Sequence, residues 1–222
     1  MLTSEIVKEY CVAAGASVAG IAAACDFIHA PEGYHPTDAL PGCVSVIVLG
    51  VPIPEEAVLN EDMLGFIDIR SALNKDLKEA AKQVAKQIKA AGYRSRAIGG
   101  MDGKWVEGNT RGPISLKHAA ELAGLGVIGR NYLLTNPAHG NLLWFSAVLT
   151  DAVLTPDPKL QIDLCGNCDL CVMACPARAL DNPGTVIKKA CDHTVFKQVN
   201  KKWEIMCFLC RKVCPHRFGI RE

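Results

Sequence analysis

A chain of 222 residues, half of them hydrophobic, has enough apolar material for one medium domain, or for a domain with a small satellite. A net charge of +1 gives no sign of a generic nucleic-acid or membrane-surface binder, and no apolar run is long enough to span a bilayer. Eleven cysteines exceed what a core needs, and all but Cys11, Cys25 and Cys43 fall after residue 160.

The opening "CVAAGASVAGIAAAC" has the look of a signal segment ending in a lipobox-like Cys25. Its flank is wrong for export, because Glu5 and Glu9 outweigh Lys8 where a signal carries positive charge. The expectation is a helix followed by a short strand, "VAGIAA", in a protein of the reducing cytoplasm, where clustered cysteines bind metal rather than pair. In "LPGCVSVIVLGVPIP", Pro41-Gly42 is a turn, and the β-branched run Cys43 to Leu49 predicts a central strand covered on both faces, ended by Pro52 and Pro54. Leu73, Leu77, Ala80, Ala81, Val84, Ala85, Ile88 and Ala91 recur at helical spacing, and Gly92 closes the helix. Lys75, Lys78, Lys82, Lys86 and Lys89 line its other face, expected to be a solvated one. A strand over "YRSRAIGG", a loop over "MDGKWVEGNTRGP" and a short helix over "SLKHAAELAG", capped by Ser115, follow.

Gly124 to Gly129 spell G-x-G-x-x-G. A dinucleotide cradle must follow a strand and open a helix, whereas Gly124 follows a helix and reads as its C-cap. "NLLWFSAVLTDAVL" is strand material, and the prolines of "TPDPKLQ" break any regular element. A boundary is expected near Thr155. The predicted fold is α+β: a mixed α/β domain over residues 1–155, built on a mixed sheet with flanking helices, and a two-cluster ferredoxin-like module over residues 156–222.

Cys165-x2-Cys168-x2-Cys171-x3-Cys175-Pro176 is the bacterial ferredoxin run, whose fourth cysteine serves the neighbouring cluster. Cys207-x2-Cys210-x3-Cys214-Pro215 repeats its last three positions, and Cys191 lies upstream as the missing corner. The pattern assigns one [4Fe–4S] cluster to Cys165, Cys168, Cys171 and Cys214, and a second to Cys175, Cys191, Cys207 and Cys210. Zinc favours two separated C-x2-C pairs making one tetrahedron, and eight thiols with two C-x3-C-P endings do not follow that habit. Cys11, Cys25 and Cys43 read as buried thiols, and His118, His139 and His193 have no ligand spacing. Lys188, Lys189, Lys197, Lys201, Lys202, Arg211, Lys212 and Arg217 make the tail basic, which offsets thiolate charge or docks an acidic electron donor such as a ferredoxin or flavodoxin.

"AGLGVIGRN", "LLTNP", a strand ending in "LTD" and the double cysteine motif, with "LPGCVSVIVLGVPI" upstream, together resemble the epoxyqueuosine reductase family, whose relatives include the cluster domains of reductive dehalogenases. The resemblance implies an oxidoreductase in which the two domains clasp a cobalamin and the clusters feed electrons to its cobalt. It places Gly126, Gly129, Arg130 and Asn131 on a loop near the corrinoid. Three departures stand out: Asn109 in "GNTRGP" replaces the family's proton-donating acid, "FIDIRSALN" replaces a segment with Tyr and His, and the chain stops at Glu222 without helical repeats. Together they argue against epoxyqueuosine reduction itself and against tRNA as a partner, leave corrinoid binding open, and leave the catalytic residues unassigned. The alternative is a non-catalytic two-cluster electron-transfer protein whose N-terminal domain docks a partner protein.

Overall fold

The computed structural model describes residues 2–59, 62–181, 186–199 and 202–220. In chain order the elements are α1 (Ser4–Ala13), β1 (Val18–Ala23), a short turn of 3-10 helix (Ala24–Asp26), α2 (Pro36–Ala39), β2 (Ser45–Pro52), α3 (Glu56–Leu59), α4 (Met63–Ala90), β3 (Ser95–Ile98), β4 (Lys104–Val106) and β5 (Asn109–Arg111). There follow α5 (Leu116–Leu122), β6 (Val127–Ile128), β7 (Leu134–Thr135), β8 (Leu143–Thr150), α6 (Leu170–Met173), α7 (Lys188–Val195), β9 (Phe196–Val199), β10 (Lys202–Ile205) and α8 (Leu209–Lys212). Among the described residues no helix is long and apolar enough to cross a membrane.

The main sheet has the order β1-β2-β8-β3. Residues 45–50 of β2 are all buried, because alternate side chains feed two cores. Ile47 and Leu49 pack with Leu77, Ala81, Val84 and Ile88 of α4 and with Val7 and Cys11 of α1. Val46 and Val48 pack with Ala119, Ala120 and Ala123 at α5. The doubly covered strand is therefore as expected. The mixed sheet is not, since every ladder is antiparallel. The helical crossover α4 does carry the chain between two strands of one direction, β2 and β3, but β8 enters between them and pairs antiparallel with both.

Helix α4 starts ten residues before the expected Leu73, where Asp62 accepts a hydrogen bond from the Leu64 N–H at 3.0 Å. Its extra turns cover "FIDIRSALN" and bury Phe66 against Phe208, in the cysteine-rich half of the chain. Arg70, also buried, forms a 2.5 Å salt bridge with Glu204 of β10. The segment expected as a loop contains the hairpin β4–β5, whose turn residues Glu107 and Gly108 have φ +50 and +83, the paired positive values of a type I′ turn. Gly124, at φ +71, does close α5: its N–H reaches the Glu121 carbonyl and the Leu125 N–H the Ala120 carbonyl, a Schellman motif. Ser115 sits at the N-cap, but its hydroxyl bonds His118 Nδ1 at 2.6 Å instead of a helix N–H. Cys11 and Cys43 are buried as expected; Cys25, on the 3-10 turn, is exposed.

Candidate metal centre

Each cysteine motif is a tight loop running into one helical turn. In the first, Asp163 accepts from the N–H groups of Cys165 and Gly166, both at 3.0 Å, and Gly166 takes φ +47. The Cys168 N–H then closes on the Cys165 carbonyl at 2.8 Å, and α6 follows. This winding sets Cys165, Cys168 and Cys171 around one recess, which Cys214, Pro215 and His216 of the second motif complete. The remaining cysteines lie among one another. Burial, then Asp192, then the thiols of Cys175 and Cys207 push Cys191 up. Burial pushes Cys210 up to about 11; Cys207, Cys191 and Cys171 reinforce the shift, and Arg211 opposes it. Cys171 belongs to the recess, so the two groups of thiols adjoin.

Such crowding disfavours four thiolates unless cations are present, which is the condition of a metal-ligand set. Among the described residues no three His, Cys, Asp or Glu side chains converge on a point as a single metal ion requires. The recess thiols instead surround a space, and a thiolate-only donor set spread in this way fits a [4Fe–4S] cubane.

Groups from residues 117–141, well before the cysteine motifs, face these thiols. The Arg130 N–H points at Cys165 Sγ at 3.5 Å, while its guanidinium donates to the Gly166 carbonyl at 3.0 Å and pairs with Asp169. Asn131, buried, donates to the Cys210 carbonyl at 3.1 Å. Asn141, also buried, donates to the Arg211 carbonyl at 3.3 Å and accepts from its guanidinium at 3.4 Å. Burial lowers Arg211 to about 10 against the opposing charges of Cys210 and Cys214. Burial, with Lys188 and Arg211 adding to it, lowers Lys117 to about 8, while Cys210 and Cys191 hold it up. Sequence reasoning missed Lys117 and Asn141, because no local pattern marks a residue that meets the thiols only through the fold; it also missed His216, whose signal was its place directly after Cys214-Pro215. Within the basic tail, Lys188 pairs with Asp192 at 2.6 Å and Arg211 is buried; Lys201 and the Lys202 side chain lie outside the described residues.

The four residues placed by resemblance beside a corrinoid are engaged within the protein. A Cβ on Gly126 would stand 2.4 Å from the Thr135 carbonyl oxygen, and one on Gly129 3.4 Å from Cys165 Sγ. With Arg130 and Asn131 bound as above, these positions clasp the cysteine loops, and Gly129, Arg130 and Asn131 also line the recess. Asn109 accepts from Arg111 Nε at 3.3 Å along β5, beside the hairpin turn. Beside it, Asp192 of α7 accepts from the Thr110 N–H at 2.7 Å and from its hydroxyl at 3.0 Å. Trp105 stacks near His193 and Phe196 with centroids 5.9 and 5.6 Å away, and His193 Nε2 lies 3.0 Å from the Gly108 carbonyl oxygen. The hairpin is thus fastened to the helix that carries Cys191.

No protein-family model matches the chain. It is 31% identical to an epoxyqueuosine reductase of Gloeobacter violaceus over 91% of its own length and 65% of that relative's. Its fold matches an epoxyqueuosine reductase solved with an epoxyqueuosine-modified tRNA-Tyr stem loop, at TM-score 0.68 and 19% identity, over 98% of this chain and 66% of that one. It also matches a catabolic reductive dehalogenase, NpRdhA, at TM-score 0.69 and 19% identity, over 98% of this chain and 32% of that one. The chain therefore spans just under two thirds of the reductases it matches. The expectation against tRNA is overturned: an epoxyqueuosine reductase that shares this fold along nearly the whole chain is solved with a tRNA stem loop. That expectation leaned on Asn109, on "FIDIRSALN" and on where the sequence ends, and none of these bears on whether the described surface can meet RNA. In sequence and in fold, this chain is a member of the epoxyqueuosine reductase-like family, whose architecture the reductive dehalogenases share.

Proposed function

We propose that the chain is the redox core of a reductase that acts on an epoxide carried by tRNA, with one [4Fe–4S] cluster on Cys165, Cys168, Cys171 and Cys214 and a second on Cys175, Cys191, Cys207 and Cys210. The observation that carries this reading is the exchange of Cys214 into the recess of the first motif, with Cys175 left among Cys191 and Cys207. Bound there, the clusters would supply one-electron transfer at low potential. The protein's own groups hold and tune them: the Arg130 N–H donates toward Cys165 Sγ, and the buried cation of Arg211 offsets thiolate charge. Opening an epoxide to an alcohol, or removing its oxygen as water, consumes two electrons and two protons. Asn109 orients but cannot act as the acid, so the protons come from another group. Gly126, Gly129, Arg130 and Asn131 are the residues that would lie beside a corrinoid, and no step is assigned to one.

The test is anaerobic purification with iron and sulfide assay, EPR, and turnover of an epoxyqueuosine-bearing tRNA stem loop with a chemical reductant. Expected are about eight irons per chain, from two cubanes, and loss of the epoxide. Cys175→Ser should disturb the signal of the second cluster and spare the first; loss of the first signal alone overturns the ligand exchange. The amide at Asn109 favours a second reading, a two-cluster electron carrier that docks a protein. Full iron with no epoxide loss and rapid reduction of an acidic acceptor protein would establish it.

A further inference from the structure

Far from the cysteines, a trough runs between α4 and β3. It is lined by Lys82, Ala85, Lys86, Lys89, Ser95, Arg96 and Ala97, so every charged side chain in it is basic. Lys86 and Lys89 are exposed and form no ion pair among the described residues. Lys82 pairs with Glu79 alone, across a contact in which both side chains are more than half exposed, and such pairs exchange readily for a stronger anion. Arg96 spends its guanidinium on the Ala39 carbonyl, a neutral partner.

The trough also has a direction. Lys75, Lys78, Lys82, Lys86 and Lys89 recur at spacings of three and four, one stripe along the helix. From Lys89 to Lys78 the stripe is about 16 Å long at the helical rise, and Lys78 ends it in an ion pair with Asp102. Alongside it, β3 leads into that same Gly99–Asp102 turn, and from there into the hairpin fastened to α7 next to Cys191.

We infer that this trough is a contact surface for the phosphate backbone of RNA. The inference rests on the tRNA reading above and locates its docking surface. The exposed lysines supply what phosphate oxygens meet, and such contacts position a nucleic acid without reading its sequence. An acidic protein would need an apolar or aromatic centre to its interface, and none of the exposed large hydrophobic residues lines the trough. The same charges also guard β3, the sheet edge that pairs only with β8. A guard of this kind alone would show no preference for RNA.

The experiment measures binding of an unmodified tRNA anticodon stem loop to the cluster-loaded protein by fluorescence anisotropy across a salt series. Wild type is compared with Lys86→Gln/Lys89→Gln and with Lys159→Gln, an exposed control whose nearest acid is Asp26 at 4.0 Å. Each phosphate contact contributes about 0.7–0.9 to the slope of log affinity on log salt, so the double variant should lose about 1.4–1.8 from the slope and at least about tenfold in affinity, with its melting point unchanged. The control should match wild type. If the double variant binds RNA with the wild-type slope, the trough is not the contact surface, although the tRNA reading survives. If wild type does not bind the stem loop even at low salt, the tRNA reading itself fails and the inference with it. If RNA binding is unchanged but reduction by an acidic one-electron carrier protein slows, the trough docks that protein instead and the inference is overturned.

Discussion

Gly140→Ala tests how the two halves of the metal centre are held together. Gly140 lies in the Asn136–Gly140 turn at φ +58, and a Cβ there would stand 2.2 Å from the Arg217 carbonyl oxygen and 2.3 Å from that of His216. Those backbone atoms follow Cys214 directly, the cysteine that completes the first recess. Two costs add. A left-handed conformation costs an L-residue about 1–2 kcal/mol, and overpacking against backbone that no rotamer change can clear costs about 1–3 kcal/mol more. Gly92→Ala separates them, because Gly92 has φ +93 but no atom within 4 Å of an added Cβ. Urea denaturation of the loaded proteins should place Gly140→Ala about 1–3 kcal/mol below Gly92→Ala. Iron should fall from about eight toward about four per chain in Gly140→Ala alone, as Cys214 is pushed from its recess. Equal stability of the two variants, with full iron in both, would refute the reasoning.

Three further outcomes are expected. Glu204→Gln leaves the Arg70 guanidinium buried without its counter-charge, and because its Nε already has no hydrogen-bond partner, stability should drop by about 3–5 kcal/mol in denaturant titration; Arg70→Met/Glu204→Gln should recover part of that. Burial raises the Asp102 carboxyl, but its bond to Lys78 and the Gly99 N–H outweigh burial and leave it below its ordinary value of 3.8. Its contribution is complete above about pH 3.8 and fades as the pH falls through the lower native value, so the difference in unfolding midpoint between wild type and Asp102→Asn should narrow on acidification. Asp192→Asn weakens the fastening of the hairpin, and amide exchange at Thr110 should quicken about tenfold for each 1.4 kcal/mol lost, while exchange in β2 stays as it was.

The elements that the sequence marks by local repetition came out as read. Strand β1 coincides with "VAGIAA", the unbroken β-branched run became the doubly covered β2, and Gly124 proved to be a helix cap and not a phosphate cradle. The start of α4 and the β4–β5 hairpin were missed, because Asp62 caps a turn whose apolar residues pack on the distant Phe208, and Glu107-Gly108 is a weak sign of a type I′ turn.

By itself the sequence determined the spacing of the thiols. Spacing is a property of neighbouring residues, and the doubled motif with Cys191 upstream is the basis of the two proposed sets of four sulfur ligands. Only the tertiary structure decided what surrounds them. It set β8 between β2 and β3, brought Lys117, Asn131 and Asn141 up to thiols 70 or more residues away, and turned Gly126 and Gly129 inward. It also set the edge strand β3 beside a lysine stripe that, read along the chain, was only a solvated helix face. The physical reason is the range of the forces: backbone preference and ligand spacing act within a few residues, whereas burial, charge compensation and the joining of two basic surfaces exist only once distant segments meet.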